Sequence, residues 1–321
     1  MSLLVVAGAM VLDAVTGDPR RLYSRVPHPV TLMAATLNAL ERRMNRSGDN
    51  RSGDGARRRR WFGIGALGLY LFGWTVVAVA IDLFLVGPLG AMVLIVFAST
   101  LLAGRDLIDH VAAVADALTG DDLEPARDAV GRIVGRETAL MDRSAIVRAA
   151  TESLAENLSD GFVAPLFWFA LGGFPALVAY KAINTADSLI GHRDDRYRAF
   201  GWAAARTDDL ANWVPARLTA ALLAALAAIE GRGAEAWRTA RRDARRHLSP
   251  NAGWPEAAMA GAVGIRLGGP RRYGALAVDG AWFGDGRESA DIDDLRIALR
   301  LARRVWIGLI LAAVALALVT H

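Results

Sequence analysis

The sequence predicts an all-α, multi-pass helical integral membrane protein with a re-entrant or broken helical hairpin and amphipathic cytoplasmic helices. Of its 321 residues, 54% are apolar, and four long runs carry no charged side chain. These runs cover 62–81, 83–104, 161–180 and 305–320. A bilayer core about 30 Å thick requires roughly 20 apolar helical residues, so the runs are candidate membrane spans rather than buried strands. The composition excludes a soluble enzyme, a disordered chain and a disulfide scaffold.

The cysteine and charge content narrows the chemistry further. The chain has no cysteine, which excludes thiolate catalysis, cysteine-ligated zinc and disulfide bonds. Its formal net charge is +4, and Lys181 is the one lysine among 37 basic residues. The arginines lie beside the apolar runs, where the positive-inside rule accounts for them. We therefore expect a lipid bilayer as partner, and no nucleic acid.

The apolar runs and the arginines divide the chain into six segments. Within the fourth segment, apolar positions recur at three- and four-residue spacing over 105–160, which predicts amphipathic helices with a break at Gly120-Asp121-Asp122. In chain order, the segments are a first membrane segment with an Asp/His loop (1–40), an Arg-rich flexible cytoplasmic linker (41–60), a transmembrane hairpin (61–104), a catalytic core with the acidic clusters and the broken hairpin (105–229), an Arg-rich cytoplasmic region (230–304) and a C-terminal membrane segment (305–321).

The apolar run 161–180 is interrupted at its middle by Gly172-Gly173-Phe174-Pro175. Proline lacks the backbone N–H and disfavours a helical conformation in the preceding residue, so a straight helix fits poorly. A kinked span would carry 181–212 to the side opposite 105–160, whereas a re-entrant hairpin would return them to the same side. Irregular backbone at membrane depth requires surrounding protein or a cavity. We favour the hairpin.

The first cluster of candidate functional residues is acidic. Glu152, Glu156 and Asp160 follow at steps of four, which places them along one helix face with a drift of about 40° per step. Three acids at the mouth of an apolar run repel one another unless a cation neutralises them, and divalent cations prefer oxygen ligands. Either these residues bind a metal ion, or they form a solvated acidic face that stops at the membrane surface.

The second cluster follows the predicted hairpin. Lys181, Asn184 and Asp187 or Ser188 share a helix face at spacings of three and four. Because every other basic residue is arginine, a single lysine suggests the need for a compact ammonium group, for example against a phosphate or an acyl phosphate. The alternative is chance survival of one lysine.

Three further clusters hold polar residues next to turns or apolar helices. Asp208 or Asp209 forms an oxygen-donor pair with Asn212 on one helical turn, and ordinary capping or juxtamembrane charge is the alternative. The other two clusters are a turn-rich loop at 249–256 and an N-terminal loop with Asp13, Asp18 and His28.

Motifs of the common nucleotide, zinc and serine-hydrolase sites are missing. The sequence contains no glycine-rich loop ending in Lys-Ser/Thr, no GxGxxG after a strand, no His-Glu-x-x-His and no Gly-x-Ser-x-Gly. Its five histidines are scattered, so a His-rich zinc site is not expected.

Taken together and in this order, the clusters resemble the CobD or CbiB family of cobalamin biosynthesis, adenosylcobinamide-phosphate synthase. The resemblance runs over nearly the whole chain, and the combination is far more specific than any one piece. The matching pieces are Gly17-Asp18-Pro19, His28-Pro29-Val30, Ile133-Val134-Gly135-Arg136, Glu152 to Gly161, Ala164-Pro165-Leu166-Phe167, Tyr180 to Gly191, Gly201, Ala205-Arg206 to Arg217, and Ser249 to Glu256.

The resemblance implies an amide-forming ligase at the cytoplasmic membrane, with its active site facing the cytoplasm. Its corrinoid substrate would be adenosylcobyric acid, which reacts through a propionate side chain. The amine would be (R)-1-amino-2-propanol or its O-phosphate, and the product adenosylcobinamide or its phosphate. Because amide formation from a free carboxylate is uphill, Mg²⁺ and ATP are the expected cofactors. The position of the ATP site stays open, as does whether the chain forms a homo-oligomer.

This chemistry suggests roles for the clustered residues. The expected metal ligands are Glu152, Glu156, Asp160 and Asp187. Lys181 and Arg206 are expected to contact phosphate or carboxylate, and Asp208 or Asp209 to act as base or second metal ligand. The expected substrate-binding residues are Asp18, His28, Asn157, Asn184, Ser188, Asn212, Arg217, Asn251 and Glu256.

Two other classes of protein remain open. An intramembrane Mg²⁺-dependent transferase acting on a lipid pyrophosphate also uses acid-rich helix ends beside spans, and it would have paired acids facing a large lipid-accessible cavity. A non-enzymatic membrane signalling protein of the AmpE type would lack several of the acidic clusters, all of which occur here.

Overall fold

The computed structural model describes residues 3–18, 23–45, 53–135, 137–273, 276–278 and 280–320. Within these residues the protein is almost entirely helical, which confirms the predicted all-α class. The α-helices are α1 Leu3–Thr16, α2 Pro29–Met44, α3 Gly53–Phe84, α4 Gly87–Ser99, α5 Gly104–Ala117, α6 Glu124–Gly131, α7 Arg143–Asn157, α8 Ala164–Ile190, α9 Trp202–Ala211, α10 Trp213–Ala227, α11 Gly233–Asp243, α12 Gly253–Val263 and α13 Ile292–Val319.

Strands occur only as two short antiparallel pairs among the described residues. The pairs are β1 Leu267–Gly268 with β4 Trp282–Phe283, and β2 Arg271–Tyr273 with β3 Leu276–Val278. Both lie in the segment 230–304, for which the sequence predicted only a polar region.

The length and hydropathy of the helices confirm a multi-pass membrane protein. Five helical stretches of the described chain are long and apolar enough to cross a bilayer. They are Gly55–Phe84, Gly87–Ala117, Arg143–Ile190, Trp213–Glu230 and Ile292–Val319. The predicted first membrane segment is the shorter apolar helix α1.

The predicted flexible linker at 41–60 is wrong over most of its length. Residues 41–44 are the last turn of α2, and residues 53–60 are the first turns of α3, which continues directly into the apolar run. Four consecutive arginines at 57–60 are good helix formers. Residues 46–52 lie outside the described part of the chain. The Gly, Ser and Asp content suggested flexibility, but the arginine end of this segment is a rigid extension of a membrane helix.

The break predicted in the run 161–180 is present. In α8, Gly172 (φ −133°, ψ 17°) and Gly173 (φ 73°, ψ −166°) leave the helical conformation. Ala164, Tyr180 and Ala211 share one buried cluster. A straight helix would place Ala164 and Tyr180 about 24 Å apart, which is too far for both to pack against Ala211. The two halves of α8 therefore fold back on each other as a broken hairpin.

The helices form two compact units, each built from discontinuous parts of the chain. Unit 1 comprises 1–102, 164–212 and 313–321, and unit 2 comprises 103–163 and 213–312. In unit 1, α3 packs against α2, α8 and α9, and α1 packs against α4. In unit 2, α10, α11 and α12 pack together. The close approach of α11 and α12 requires Gly261, because a Cβ there would lie 2.8 Å from the Ala236 Cα.

A π-helical turn at Leu158–Val163 follows α7. Such turns widen the helix by one residue and often occur at functional sites. Because Asp160 lies in this turn, the assumption of an ideal helix face for Glu152, Glu156 and Asp160 is wrong. Their surroundings differ: Glu152 is buried, Glu156 is exposed and Asp160 is half-buried.

Candidate functional site

The strongest convergence of polar side chains in unit 1 is centred on Asp208. The second half of α8 supplies Tyr180 and Asn184, and α9 with the residue after it supplies Asp208 and Asn212. Asn212 Nδ2 donates to Asp208 Oδ2 (2.9 Å), and Asn184 Nδ2 donates to Asp208 Oδ1 (3.5 Å). The Tyr180 hydroxyl donates to Asn212 Oδ1 (2.9 Å) and so fixes the orientation of that amide. Both carboxylate oxygens are thus held by side-chain amides.

The electrostatic surroundings of Asp208 change its acidity. Burial raises its pKa to about 7, and the negative charges of Asp187 and Asp209 act in the same direction. The hydrogen bonds from Asn212 and Asn184 oppose this shift without cancelling it. A carboxyl group that titrates near neutrality can accept and release protons under physiological conditions, as a general base must. This arrangement favours Asp208 over Asp209 for the role of base.

Asp209 has a different environment from its neighbour. Burial raises its pKa, whereas the positive charges of Arg206 and Arg193 lower it. Arg206 Nη1 donates to Asp209 Oδ2 (3.3 Å), and the guanidinium is largely exposed. Arg206 and Asp209 thus form a surface ion pair beside the half-buried Asp208.

Asp187 faces this same cluster from the last turns of α8. A Cβ at Gly191 would overlap the Asp187 carboxylate, so the absence of a side chain at Gly191 leaves room for it. Lys181 is half-buried on the same helix, one turn before Asn184. Ser188 is exposed, and its hydroxyl donates to the Asn184 carbonyl of its own helix (2.9 Å).

The N-terminal pair is also in unit 1. His28 Nε2 lies 3.6 Å from Asp18 Oδ1, as the predicted acid–imidazole loop requires. The other ring nitrogen, Nδ1, accepts a hydrogen bond from the Val30 amide (3.1 Å). His28 is therefore the N-cap of α2, and this capping is a structural role that the sequence analysis did not assign.

The first acidic cluster, in unit 2, is held partly by backbone. The buried Glu152 accepts a hydrogen bond from the Gly268 amide (2.7 Å), which fixes β1 against α7. Asn157 donates to the Ser153 carbonyl within its own helix (2.9 Å). Glu156 and Asp160 keep more solvent contact than Glu152. Glu152 thus has a structural role, and Glu156 and Asp160 are the more accessible acids of the cluster.

Arg217 and Asn251 are brought together in unit 2, although 33 residues lie between them. Arg217 Nη1 donates to Asn251 Oδ1 (3.3 Å) and to the Trp213 carbonyl (2.6 Å). The guanidinium carbon lies 4.3 Å from the ring centre of Trp213 and 4.9 Å from that of Trp254. Stacking between two indoles holds a guanidinium in place for an anionic ligand. The buried Glu256 lies 3.7 Å from His247 Nε2.

A dedicated metal cage is not seen in the described residues. No group of three or more His, Asp or Glu side chains there converges closely enough to hold a metal ion. Magnesium, however, is usually bound through one or two carboxylates together with water and substrate phosphates. The acids around Asp208 fit that lower requirement.

Sequence reasoning missed several residues that hold the Asp208 cluster. Tyr180 begins one of the segments that resemble the family, but its role depends on a partner 32 residues away. Trp168 donates from Nε1 to the Ala211 carbonyl (3.1 Å) and ties the first half of α8 to α9. The pair of Glu41 and Arg196, 155 residues apart, carried no sequence signal of any kind.

The fold and the site define a class: a multi-pass helical membrane protein with a broken helix and a carboxylate of near-neutral pKa held by amides. Comparison with known proteins is more specific. The chain matches the family described as CobD/Cbib protein over residues 6–302. It belongs to that family.

Similar proteins cover nearly all of the chain. One from Brucella suis biovar 1 (strain 1330) is 47% identical over 98% of this chain and 97% of its own length. One from Rhizobium meliloti (strain 1021) is 46% identical over 92% and 91%, and one from Rhodobacter capsulatus is 46% identical over 94% and 93%. Each is named cobalamin biosynthesis protein CobD. No solved structure matches this chain.

Proposed function

We propose that this protein is a membrane enzyme of cobalamin biosynthesis that forms an amide bond between a corrin carboxylate and an aminopropanol unit. The corrinoid would be adenosylcobyric acid, and the amine (R)-1-amino-2-propanol or its O-phosphate. Membership of the CobD/Cbib family supports the pathway. The observation that carries the reaction type is the half-buried Asp208, with a pKa of about 7 and both oxygens held by amides.

Amide formation requires a neutral amine, and Asp208 is suited to provide it. An aliphatic ammonium group must lose a proton before its nitrogen can attack, and the nitrogen must lose another when the amide forms. Asp208 Oδ accepts such a proton, while Asn184 and Asn212 keep the carboxylate oriented. A base with a pKa near the working pH combines a useful deprotonated fraction with useful basicity.

The carboxylate partner must be activated before the amine attacks. Bound ATP with Mg²⁺ would supply that activation by converting the carboxylate into an acyl phosphate with loss of ADP. In this proposal Asp187 and Asp209 would hold the magnesium ion, which would help to neutralise the phosphate groups. Lys181 and Arg206 offset the negative charge that develops on the phosphate and carboxylate oxygens.

Recognition of the large corrinoid requires further contacts. In unit 2, we assign anionic or amide groups of the substrates to Arg217 and Asn251, since Arg217 is already oriented by two tryptophans. Glu156 at the end of α7 and Asp160 in the π-helical turn, also in unit 2, are the remaining candidate metal or amine contacts. We propose that the protein is located in the cytoplasmic membrane, with these groups facing the cytoplasm.

The test is a reconstituted reaction. Protein purified in detergent is supplied with adenosylcobyric acid, ATP and Mg²⁺ and with either the amino alcohol or its O-phosphate, and mass spectrometry detects the amide product. We expect product only with ATP present, and a loss of about 10²- to 10⁴-fold in turnover for Asp208→Asn. The control is Asp128→Asn, which makes the same change at an exposed acid of α6. Product formation by Asp208→Asn at the wild-type rate would contradict the proposed role of Asp208, and no product from wild type with either amine would contradict the proposed reaction.

A further inference from the structure

The loop at 191–201 connects the two helices that carry the acids of the site. It leaves α8 four residues after Asp187 and enters α9 seven residues before Asp208. At its start the Gly191 amide donates to the Asp187 carbonyl (2.7 Å), which is the last helical hydrogen bond of α8. Gly201 lies directly on the Ile190 carbonyl, where any Cβ would overlap the oxygen. A shift of this loop would therefore move Asp187 relative to Asp208.

The middle of the loop is tied to the end of α2 through Arg196. Its guanidinium donates from Nε to Glu41 Oε1 and from Nη2 to Glu41 Oε2, both at 3.1 Å. Asn45 Nδ2 donates to Glu41 Oε1 as well (2.8 Å). The Glu41 side chain is only 4% exposed, so removal of Arg196 would leave a buried, poorly compensated charge.

The arginine end of α3 holds the other side of the loop. Arg59 is buried and donates to Asn45 Oδ1 (2.7 Å) and to the Arg196 carbonyl. Arg60 places its guanidinium carbon 4.6 Å from the ring centre of Trp202, the first residue of α9. One turn further along, Gly63 packs against the Phe200 carbonyl so closely that a Cβ would overlap it.

The neighbouring arginines of the same run point elsewhere. Arg57 and Arg58 line a cavity of about 480 Å³ with Trp61 and Phe62, and Arg58 stacks on the Phe62 ring. The four-arginine run is thus divided into two residues that hold the loop and two that do not. Positive-inside placement alone would not distinguish Arg59 and Arg60 from Arg57 and Arg58.

We propose that Glu41, Asn45, Arg59, Arg60 and Gly63 are positioning residues that clamp the 191–201 loop and thereby set the geometry of Asp187 and Asp208. This inference rests on the proposed function, because it assigns the clamp to the same site. Catalytic groups displaced by about 1 Å can lose about 100-fold in rate, so a clamp remote from the substrate can control turnover. The arginine-rich segment would then affect turnover as well as the orientation of the protein in the membrane.

The test compares variants in matched pairs. Arg59→Met and Arg60→Gln remove clamp contacts, and Arg57→Met and Arg58→Gln make the same changes at the outward-facing arginines. Gly63→Ala forces the loop away, whereas Gly68→Ala adds the same methyl on the same helix with nothing within 4 Å. Arg60→Lys keeps a cation over Trp202 and is expected to restore the function that Arg60→Gln loses.

Two measurements decide the outcome, and the first does not depend on turnover. Spin labels at Ser188 and Leu210, both exposed, report the distance between α8 and α9. We expect the distance distribution to broaden or shift in Arg59→Met and Gly63→Ala and to stay narrow in the controls. For the unlabelled proteins, we expect kcat to fall about 10- to 100-fold in the clamp variants with little change in KM.

Folded clamp variants that keep the wild-type distance distribution, or that keep wild-type kcat despite a changed distribution, would overturn the proposal. If Gly63→Ala does not insert into the membrane, Arg59→Met and Arg60→Gln decide in its place. An inactive wild-type protein would count against the proposed reaction, and the label distances would still decide whether the clamp holds the loop.

Discussion

Replacement of Asp208 by asparagine should remove activity and at the same time change how stability depends on pH. The folded protein holds Asp208 with a pKa of about 7, mainly through burial, whereas an unfolded chain has an aspartate pKa of about 3.9. Between these values the folded state binds more protons than the unfolded state. Wild-type stability contributed by this group is therefore fully present at low pH and is lost as the pH rises through about 7.

The size of this effect follows from linkage. The two pKa values predict a loss of about 2–3 kcal/mol between about pH 5 and pH 8, and partial solvent contact of the side chain reduces it to about 1–2 kcal/mol. The asparagine side chain of the variant cannot titrate in this range. It would leave one amide donor facing another at Asn184 or Asn212, a cost of about 1–3 kcal/mol that does not depend on pH.

The assay is thermal unfolding in detergent at several pH values, followed by tryptophan fluorescence. We expect the midpoint of Asp208→Asn to rise by a few degrees relative to wild type between about pH 5 and pH 8. Titrating groups that do not interact with Asp208 are common to both proteins and cancel in the difference. Asp128→Asn should run parallel to wild type, since that carboxylate is exposed. Parallel curves for Asp208→Asn and wild type would refute the assignment of a raised pKa to Asp208.

Three further predictions concern the remaining candidate residues. Lys181→Arg should lower turnover more than tenfold, equivalent to about 1.4 kcal/mol or more in the barrier, because a planar guanidinium does not replace a compact ammonium group. A variant as active as wild type would rule out a catalytic role for Lys181. Glu156→Gln or Asp160→Asn should abolish product formation while the amount of inserted protein stays normal. If these acids were only a solvated face, the same substitutions would change stability by no more than about 0.5 kcal/mol and would leave product formation unchanged. Cysteines at the exposed positions Arg57 and Ser188 should react with an impermeant thiol reagent from the same side of the membrane, and opposite labelling would show that α8 is a true span.

The sequence predicted those parts of the fold that local chemistry determines. The uncharged runs identified the membrane helices, and Gly172-Gly173-Phe174-Pro175 identified the break in α8, because glycine and proline act on the backbone of their own segment. The prediction of a flexible linker was wrong because it rested on composition alone: its Gly, Ser and Asp content is typical of flexible chain. Arg59 lies in the helix α3 and donates to Asn45 and to the Arg196 carbonyl, and composition does not report such contacts.

The same distinction explains the site. The four-residue step between Asp208 and Asn212 was visible, and their side chains are indeed hydrogen-bonded. The sequence placed Asn184 in a different cluster from Asp208, because a hydrogen bond between two helices leaves no periodic pattern in the sequence. For Glu152, periodicity predicted a metal ligand; it did not predict the hydrogen bond from the Gly268 amide, in a short strand that no sequence pattern indicated.

The irregular parts of the backbone lie close to the polar clusters, and energetics gives a reason. Unpaired backbone groups in a bilayer are costly, so each departure from the α-helix must be offset by nearby protein. The break at Gly172-Gly173 folds α8 back on itself, and its two halves contact α9 through Trp168 and Tyr180. A continuous helix would satisfy its own backbone with fewer constraints, but it would carry Tyr180 away from Asn212 and leave Asp208 without its orienting network. The orienting network of Asp208 therefore depends on the break.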